Sequence, residues 1–227
     1  MTGRLETPVV AMSSGGKDSL YMVHKLSRQQ GRRIAALLTR VDEENGRVPF
    51  HGASRPLLQA QADALGLDLY TLDLPSGCSN RMYEKRLEQA LKPFLDKGVD
   101  VLACGDLHVV EGRQWREKSM AGMGWRAVFP IWKTPLSGML DVLENEGWGA
   151  TVCCVDLTVL PEDFLGRNYD RAFVNDLPPG VDPFGENGEF HTFVHTAPGF
   201  SARVGLATGQ RRLTHSGQFL TLELNPA

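Results

Sequence analysis

Through its first 132 residues the chain alternates short apolar runs with amphipathic segments at helical spacing, and few folds accept that pattern. Residues 9–12 (VVAM) form the first strand candidate. Residues 19–29 read as a helix, with Leu20, Val23 and Leu26 on one side and Gly31 as a stop. Residues 34–41 (IAALLTRV) are nearly all apolar, as expected of a strand buried on both faces. The spacing then predicts a helix over 55–65, a strand over 69–74, a helix over 79–97 closed by Gly98, and a strand over 99–104. A helix over 113–123 and a strand over 127–132 complete the series. Strand and helix in repeated alternation predict an α/β fold: a parallel sheet with helices on both faces and right-handed crossovers. Ligands in such sheets bind beyond the carboxyl ends of the strands.

The texture changes after residue 133. Thr134 and Pro135 read as an N-cap and first helical position, followed by strand candidates at 150–155, 189–195, 203–207 and 218–224 around a Pro- and Gly-rich stretch. Two domains are expected: residues 1–133, and a smaller α/β domain over 134–227.

Composition narrows the function classes. A net charge of −3 over 227 residues gives no basic field, so charge does not imply a nucleic-acid partner. No run approaches 18 apolar residues, and residues 1–15 lack the apolar core of a leader, so a cytoplasmic location is expected. The four cysteines, Cys78, Cys104, Cys153 and Cys154, form no CxxC pair and read as reduced, mostly buried thiols.

Two stretches are chemically unusual. The first, Ser14-Gly15-Gly16-Lys17-Asp18-Ser19, lies between the first strand and the first helix. Glycines let the backbone approach a ligand closely, and a helix start offers unpaired N–H groups and partial positive charge to a phosphate. It is not the Walker pattern, because residue 11 is Ala and residue 18 is Asp where that pattern asks for Gly and a hydroxyl. The second stretch, Gly185-Glu186-Asn187-Gly188-Glu189, packs two acids and two glycines into five residues. It suits a hard cation or ammonium, or else a hairpin turn with solvated acids.

The first loop resembles the SGGxDS loop of the N-type ATP pyrophosphatases, or PP-loop enzymes. The resemblance implies that residues 14 to 19 hold the β and γ phosphates of ATP, leaving the α phosphorus open to attack. Together with GENGEFHTFV from residue 185 the loop is similar to that of the diphthine–ammonia ligase family and its bacterial relatives. Further stretches agree in order along the chain: Phe50 to Gly52 with Arg55, Gly105 to Leu107, Arg113 to Glu117, Phe129 to Trp132, and Leu165 to Arg167.

The resemblance implies a Rossmann-like nucleotide-binding domain followed by a smaller domain that binds the acceptor. It also implies ATP with Mg²⁺, ammonia as nitrogen donor, and a carboxylate acceptor. That acceptor is diphthine on elongation factor 2 in the namesake, or a small molecule where diphthine is absent. Lys17, Asp18, Asp106, Glu186 and Glu189 are the implied catalytic candidates, with Asp18 also a metal contact. His51, Arg113, Arg116, Trp132 and His191 are implied on the substrate side. Relatives often carry a cysteine where this chain has Phe184, which leaves acceptor handling open.

Taken alone, several of these residues have plainer readings. Asp106 could cap a helix, His51 could be solvated, Arg113 and Arg116 could line an exposed helix face, and Trp132 could sit in the core at the domain interface. His24 reads as structural, His195 as surface, and Arg211 and Arg212 as exposed strand charges. Two other functions stay open: a PP-loop enzyme acting on RNA, against which stand the weak acidity and the lack of CxxC, and an ATP-binding sensor without turnover. The oligomeric state, a homo-oligomer included, is not legible in the sequence.

Overall fold

A computed structural model describes residues 7–227. Residues 1–6, the start of the expected first domain and of the stretch read for a leader, lie outside it. The expected parallel sheet is present, with strands β1 (Thr7–Met12), β2 (Arg32–Asp42), β3 (Leu69–Leu74), β4 (Val101–Ala103) and β5 (Arg126–Val128). All four pairings are parallel and the spatial order is β3-β2-β1-β4-β5. The chain therefore reverses direction of travel between β1 and β4, and a crevice opens at that switch point beyond the strand ends.

Alternation along the strands sends side chains to two cores. Val10, Ala36, Leu38 and Leu102 pack with Leu87, Leu91, Phe94 and Met120 of helices α3 (Asn80–Leu95) and α4 (Val110–Gly122). On the other face Val9, Ala11 and Leu37 pack with Leu20, Tyr21, Leu57 and Leu58 of α1 (Lys17–Ser27) and α2 (Arg55–Leu65). That second core continues into the remainder of the chain through Met139, Val152, Phe173, Phe190, Phe193 and Leu224.

The second half is a four-stranded antiparallel sheet. Strands β6 (Gly149–Asp156), β7 (Phe190–Thr196), β8 (Leu206–Thr214) and β9 (Phe219–Pro226) lie in the order β7-β6-β9-β8. Helices α5 (Leu136–Asn145) and α6 (Arg171–Asn175) accompany it.

Several expectations are corrected. The fifth strand stops at Val128, and residues 130–133 turn, because Pro130 cannot donate to a sheet ladder. Pro135 is the N-cap of α5 and Leu136 its first residue. The third late strand begins at Leu206 and runs through Arg211 and Arg212, both exposed as expected. His195 is buried at 8% exposure, beneath Gly149, where a Cβ would meet its ring at 2.3 Å. Cys104, Cys153 and Cys154 are buried and Cys78 is partly so; all four are free.

Candidate active site

The glycine loop lies where β1 ends and α1 begins, beside the end of β4. Gly15 takes a positive φ of 79°, which a side chain would oppose. Gly16 is hemmed in: a Cβ there would meet the Thr192 carbonyl oxygen at 2.9 Å and the His51 ring at 2.8 Å. At the neighbouring strand end, a Cβ on Gly105 would press on the Asp18 carbonyl and the Ser19 amide at 3.2 Å. Three glycines thus allow backbone from three segments to converge on one helix start.

The second sheet holds this loop. Lys17 N–H donates to Thr192 Oγ1 at 3.0 Å, and Val194 N–H donates to the Gly15 carbonyl at 2.9 Å. Gln61 Nε2, buried, donates to the carbonyls of Gly15 and Val194. Inside the loop, Gly15 N–H donates to Ser13 Oγ and Ser19 Oγ to the Gly16 carbonyl. The early amides of α1 still have no intrahelical acceptor, as at any helix start.

A cavity of about 310 Å³ opens over the loop. Ser13, Ser14, Asp18 and Ser19 line it from below, Asp106 and Arg116 from the β4 side, Arg40 from β2, His51 from the segment between β2 and α2, and Glu186 and His191 from the second half. An adjoining hollow shares Met12, Arg40 and Arg116 with it and adds Tyr83 and Trp115, whose rings lie 5.8 Å apart. Arg40 and Tyr83 carry no sequence signal, since a strand-end arginine and a helix-face aromatic look ordinary until the fold joins them, whereas Trp115 lies inside the 113–117 stretch.

The acidic loop docks onto the β4 end. Glu186 Oε2 accepts the Leu107 amide at 3.0 Å. Asp182 accepts from the amides of Phe184 and Glu186 and pairs with His108 at 3.2 Å. Glu189 is turned into its own loop: it accepts from the amides of Asp182 and Asn187 and from the Asn187 side chain, and it is 8% exposed. The two acids of the pentapeptide therefore separate, Glu186 to the cavity and Glu189 to the scaffold.

Lys17 also departs from the expected placement. Its ammonium is buried and donates to Asp18 Oδ2 at 2.8 Å and to the Phe184 carbonyl, above the rings of Tyr169 and Phe190. It ties the glycine loop to the acidic loop and does not line the cavity. At position 184 the backbone oxygen makes this contact, while the buried phenyl ring lies 6.0 Å from that of His108. Arg113 and Trp132 lie outside the cavity lining. Arg113 stacks between Phe129 and Trp132, at 4.9 and 4.8 Å, and pairs with Glu117. Arg116 does reach the site, where its Nε donates to Asp106 Oδ1 at 3.0 Å; Asp106 caps no helix, since α4 begins at Val110.

Protonation follows from burial. His51 is held down to about 4 by burial, and the Lys17 charge adds to this against a contact of its Nδ1 with the Thr192 carbonyl at 2.9 Å. His191, 4.7 Å from it ring to ring, is pushed well below the usual histidine range by burial, then by His51 and Lys17. Both imidazoles are neutral at pH 7. Burial raises Asp18, opposed by Lys17; it raises Glu186 too, with Asp18 adding to the rise.

The residues present fit a nucleotide that carries a divalent cation. Asp18 Oδ1 is buried without a donor. It shares the cavity with the carboxylates of Asp106 and Glu186, an oxygen set suited to a hard cation. Among the described residues no group of three or more His, Cys, Asp or Glu forms a ready-made metal cage. No helix among them is long and apolar enough to cross a membrane.

Comparison with known proteins gives two family matches. The diphthamide synthase N-terminal domain matches residues 7–127 and the diphthamide synthase C-terminal domain matches residues 134–224. No curated protein matches the sequence. Among solved structures, the U34-tRNA thiolase NcsA from Methanococcus maripaludis, with its [4Fe-4S] cluster, is similar at 15% identity and a TM-score of 0.39, over 63% of this chain and 58% of that one. The chain therefore spans under two thirds of that protein's length. With both of its domain models matched in order, over residues 7–127 and 134–224, the chain belongs to the diphthamide synthase family.

Proposed function

We propose that the protein is an amide ligase that converts ATP to AMP and pyrophosphate while joining ammonia to a carboxylate. One observation carries this reading: both signatures line a single cavity at the switch point of the sheet. Ser14, Asp18 and Ser19 come from the glycine loop, and Glu186 and His191 from the second half.

In the first step an oxygen of the acceptor carboxylate bonds to the α phosphorus of ATP. The bond from that phosphorus to the bridging β oxygen breaks, and pyrophosphate leaves with its electrons. The loop backbone and the α1 amino terminus stabilise the leaving charge without reorganising. Asp18, with Asp106 and Glu186 beside it, would hold Mg²⁺, which supplies neutralising charge to the phosphates. In the second step the nitrogen lone pair of ammonia attacks the acyl carbon, and AMP departs. Ammonia enters beside Glu186 and His191; as the adduct collapses, the proton that nitrogen sheds passes to the Glu186 carboxylate, whose proton affinity burial raises, while His191, neutral through burial, accepts a hydrogen bond from the nitrogen. Lys17 and Glu189 act through others, the first joining the two loops and the second shaping one of them.

The acceptor is a carboxylate on a protein, diphthine of elongation factor 2, or a small-molecule carboxylate. The test supplies ATP, Mg²⁺, ammonium and elongation factor 2 bearing diphthine, then quantifies nucleotides and the mass of the factor. AMP and pyrophosphate should appear in equal amounts with one amide per AMP, and Asp18→Asn should abolish all three products. Release of ADP, or a nucleotide found away from residues 14–19, would overturn the reading.

A further inference from the structure

A separate cavity of about 310 Å³ lies at the amino end of β2, on the face of the parallel sheet that carries α1 and α2. Val23 and Ser27 of α1, Arg32 and Ile34 of β2, and Leu65 and Leu67 at the end of α2 contribute to its lining. Residues 197–199, the turn after β7, close it. That turn is fastened in place: the Phe200 amide donates to the Ala197 carbonyl, and the Ser201 amide donates to the Ala64 carbonyl of α2 at 2.7 Å. Packed elements therefore give the cavity its shape before any ligand arrives.

The cavity lies away from the nucleotide chemistry. It shares no lining residue with the cavity over the glycine loop. Helix α1 starts at Lys17 beside that loop, and Ser27 is ten residues further on, about 15 Å along the helix axis. β2 runs parallel to β1, so its first residues lie at the edge of the sheet opposite the glycine loop.

The lining combines apolar walls with positive charge. Val23 is buried, and Ile34, Leu65 and Leu67 pack partly buried against the same core. Arg32 stands two residues before Ile34 on β2, so the two side chains share a face. Among the described residues the Arg32 Nη1 is buried and has no acceptor. Arg33, exposed, adds a second positive charge at the rim, and no carboxylate contributes to the lining. His24 also lines the cavity but is uncharged at pH 7: burial, then Arg28, lowers its proton affinity against the pull of Glu146, 3.4 Å from its Nε2. A buried guanidinium nitrogen is costly without an acceptor, and the hydrocarbon beside Arg32 supplies none. A carboxylate supplies one, in the planar geometry that a guanidinium favours. At about 30 Å³ of liquid volume per water, the cavity holds on the order of ten non-hydrogen atoms.

We propose that this cavity binds a medium-chain aliphatic carboxylate, its anion on Arg32 and its hydrocarbon body against Val23, Ile34, Leu65 and Leu67. The ligand is distinct from ATP and from the acceptor, since a carboxylate held here is a helix length away from the glycine loop. The inference does not rest on the ligase reading.

The test is nuclear magnetic resonance on the whole chain, titrated below the micelle concentration with octanoate, with octanamide and with acetate. Octanoate should saturate the protein and shift the amides of Ser27, Ile34, Leu67 and Gly199. Octanamide, the same body without the charge, should bind about tenfold more weakly, and acetate, the charge without the body, should leave those amides unmoved. Arg32→Met keeps an unbranched stem and removes a buried polar group that has no partner, so it should fold. It should weaken octanoate about tenfold and leave octanamide unchanged, whereas Arg32→Lys should keep the preference for octanoate. An excess of a non-hydrolysable ATP analogue, with a methylene between the α and β phosphorus, should not displace octanoate. The assignment is overturned by shifts that never saturate, by shifts at residues 14–19 that the analogue reverses, by equal affinity for octanoate and octanamide, or by octanoate affinity that Arg32→Met leaves undiminished.

Discussion

The glycine loop and the acidic loop are both short and rich in glycine, yet they are held differently. The acidic loop organises itself: Glu189 and Asp182, two of its own carboxylates, take up the amides of Asp182, Phe184, Glu186 and Asn187. The glycine loop bonds its Gly15 and Gly16 amides to the hydroxyls of Ser13 and Ser14, and in addition is clamped from outside by Thr192 and Val194 of β7 and by Gln61 of α2. That clamp works mostly through the Gly15 carbonyl and draws on a single loop amide, that of Lys17. A loop that presents one carboxylate can spend its amides on shaping itself.

Lys17 joins the two loops and offers the strongest way to break this contrast. Lys17→Met removes one partner of a buried pair and leaves the Phe184 carbonyl without its donor. Unfolding free energy should fall by about 3–5 kcal/mol in urea titration. Affinity for the non-hydrolysable ATP analogue, measured calorimetrically at low temperature, should fall far less. A collapse of nucleotide affinity at unchanged stability would mean that the ammonium serves phosphate.

The pair Glu186→Gln and Glu189→Gln sharpens it next. Glu186→Gln should slow AMP formation about 100-fold with little change in melting temperature, because a cavity charge is lost and the Leu107 amide keeps an acceptor. Glu189→Gln should cost about 1–3 kcal/mol, read as a drop of several degrees in melting temperature. Reversal of the two outcomes would exchange their roles.

Thr192→Val tests the external clamp alone. It deprives the Lys17 amide of its acceptor and should cost about 1 kcal/mol, with a rise in the KM for ATP. An unchanged KM would show that the loop keeps its shape unaided.

A last effect concerns acid. His51 is neutral in the folded chain down to about 4, whereas an unfolded histidine protonates near 6.5. Between those values the unfolded chain binds the extra proton, so stability is complete above about 6.5 and is lost as pH falls toward 4. His51→Asn should flatten the decline in urea midpoint between pH 7 and pH 5; an unaltered slope would assign it to other groups.

Much of the fold was legible because strand and helix periods leave marks that survive without tertiary context. The helix at Arg55–Leu65 and the strand at Leu69–Leu74 are found at the bounds that spacing predicts. β8 was misplaced because nearly every residue along it is exposed, so an edge strand with no buried face shows no alternation. His195 was misread because its burial depends on Gly149 of a neighbouring strand, which local pattern cannot reveal.

The sequence by itself determined the parallel sheet, the position of the glycine loop at its first turn, and the family, since each is written in residues close together along the chain. Only the tertiary structure decided which of two glutamates faces the cavity, that the Lys17 ammonium turns inward, and that Arg40, Tyr83 and Trp115 gather beside the cavity over the glycine loop. Those outcomes depend on hydrogen-bond partners and neighbours supplied by distant segments, and a side chain's direction is set by what it meets after the chain has closed on itself.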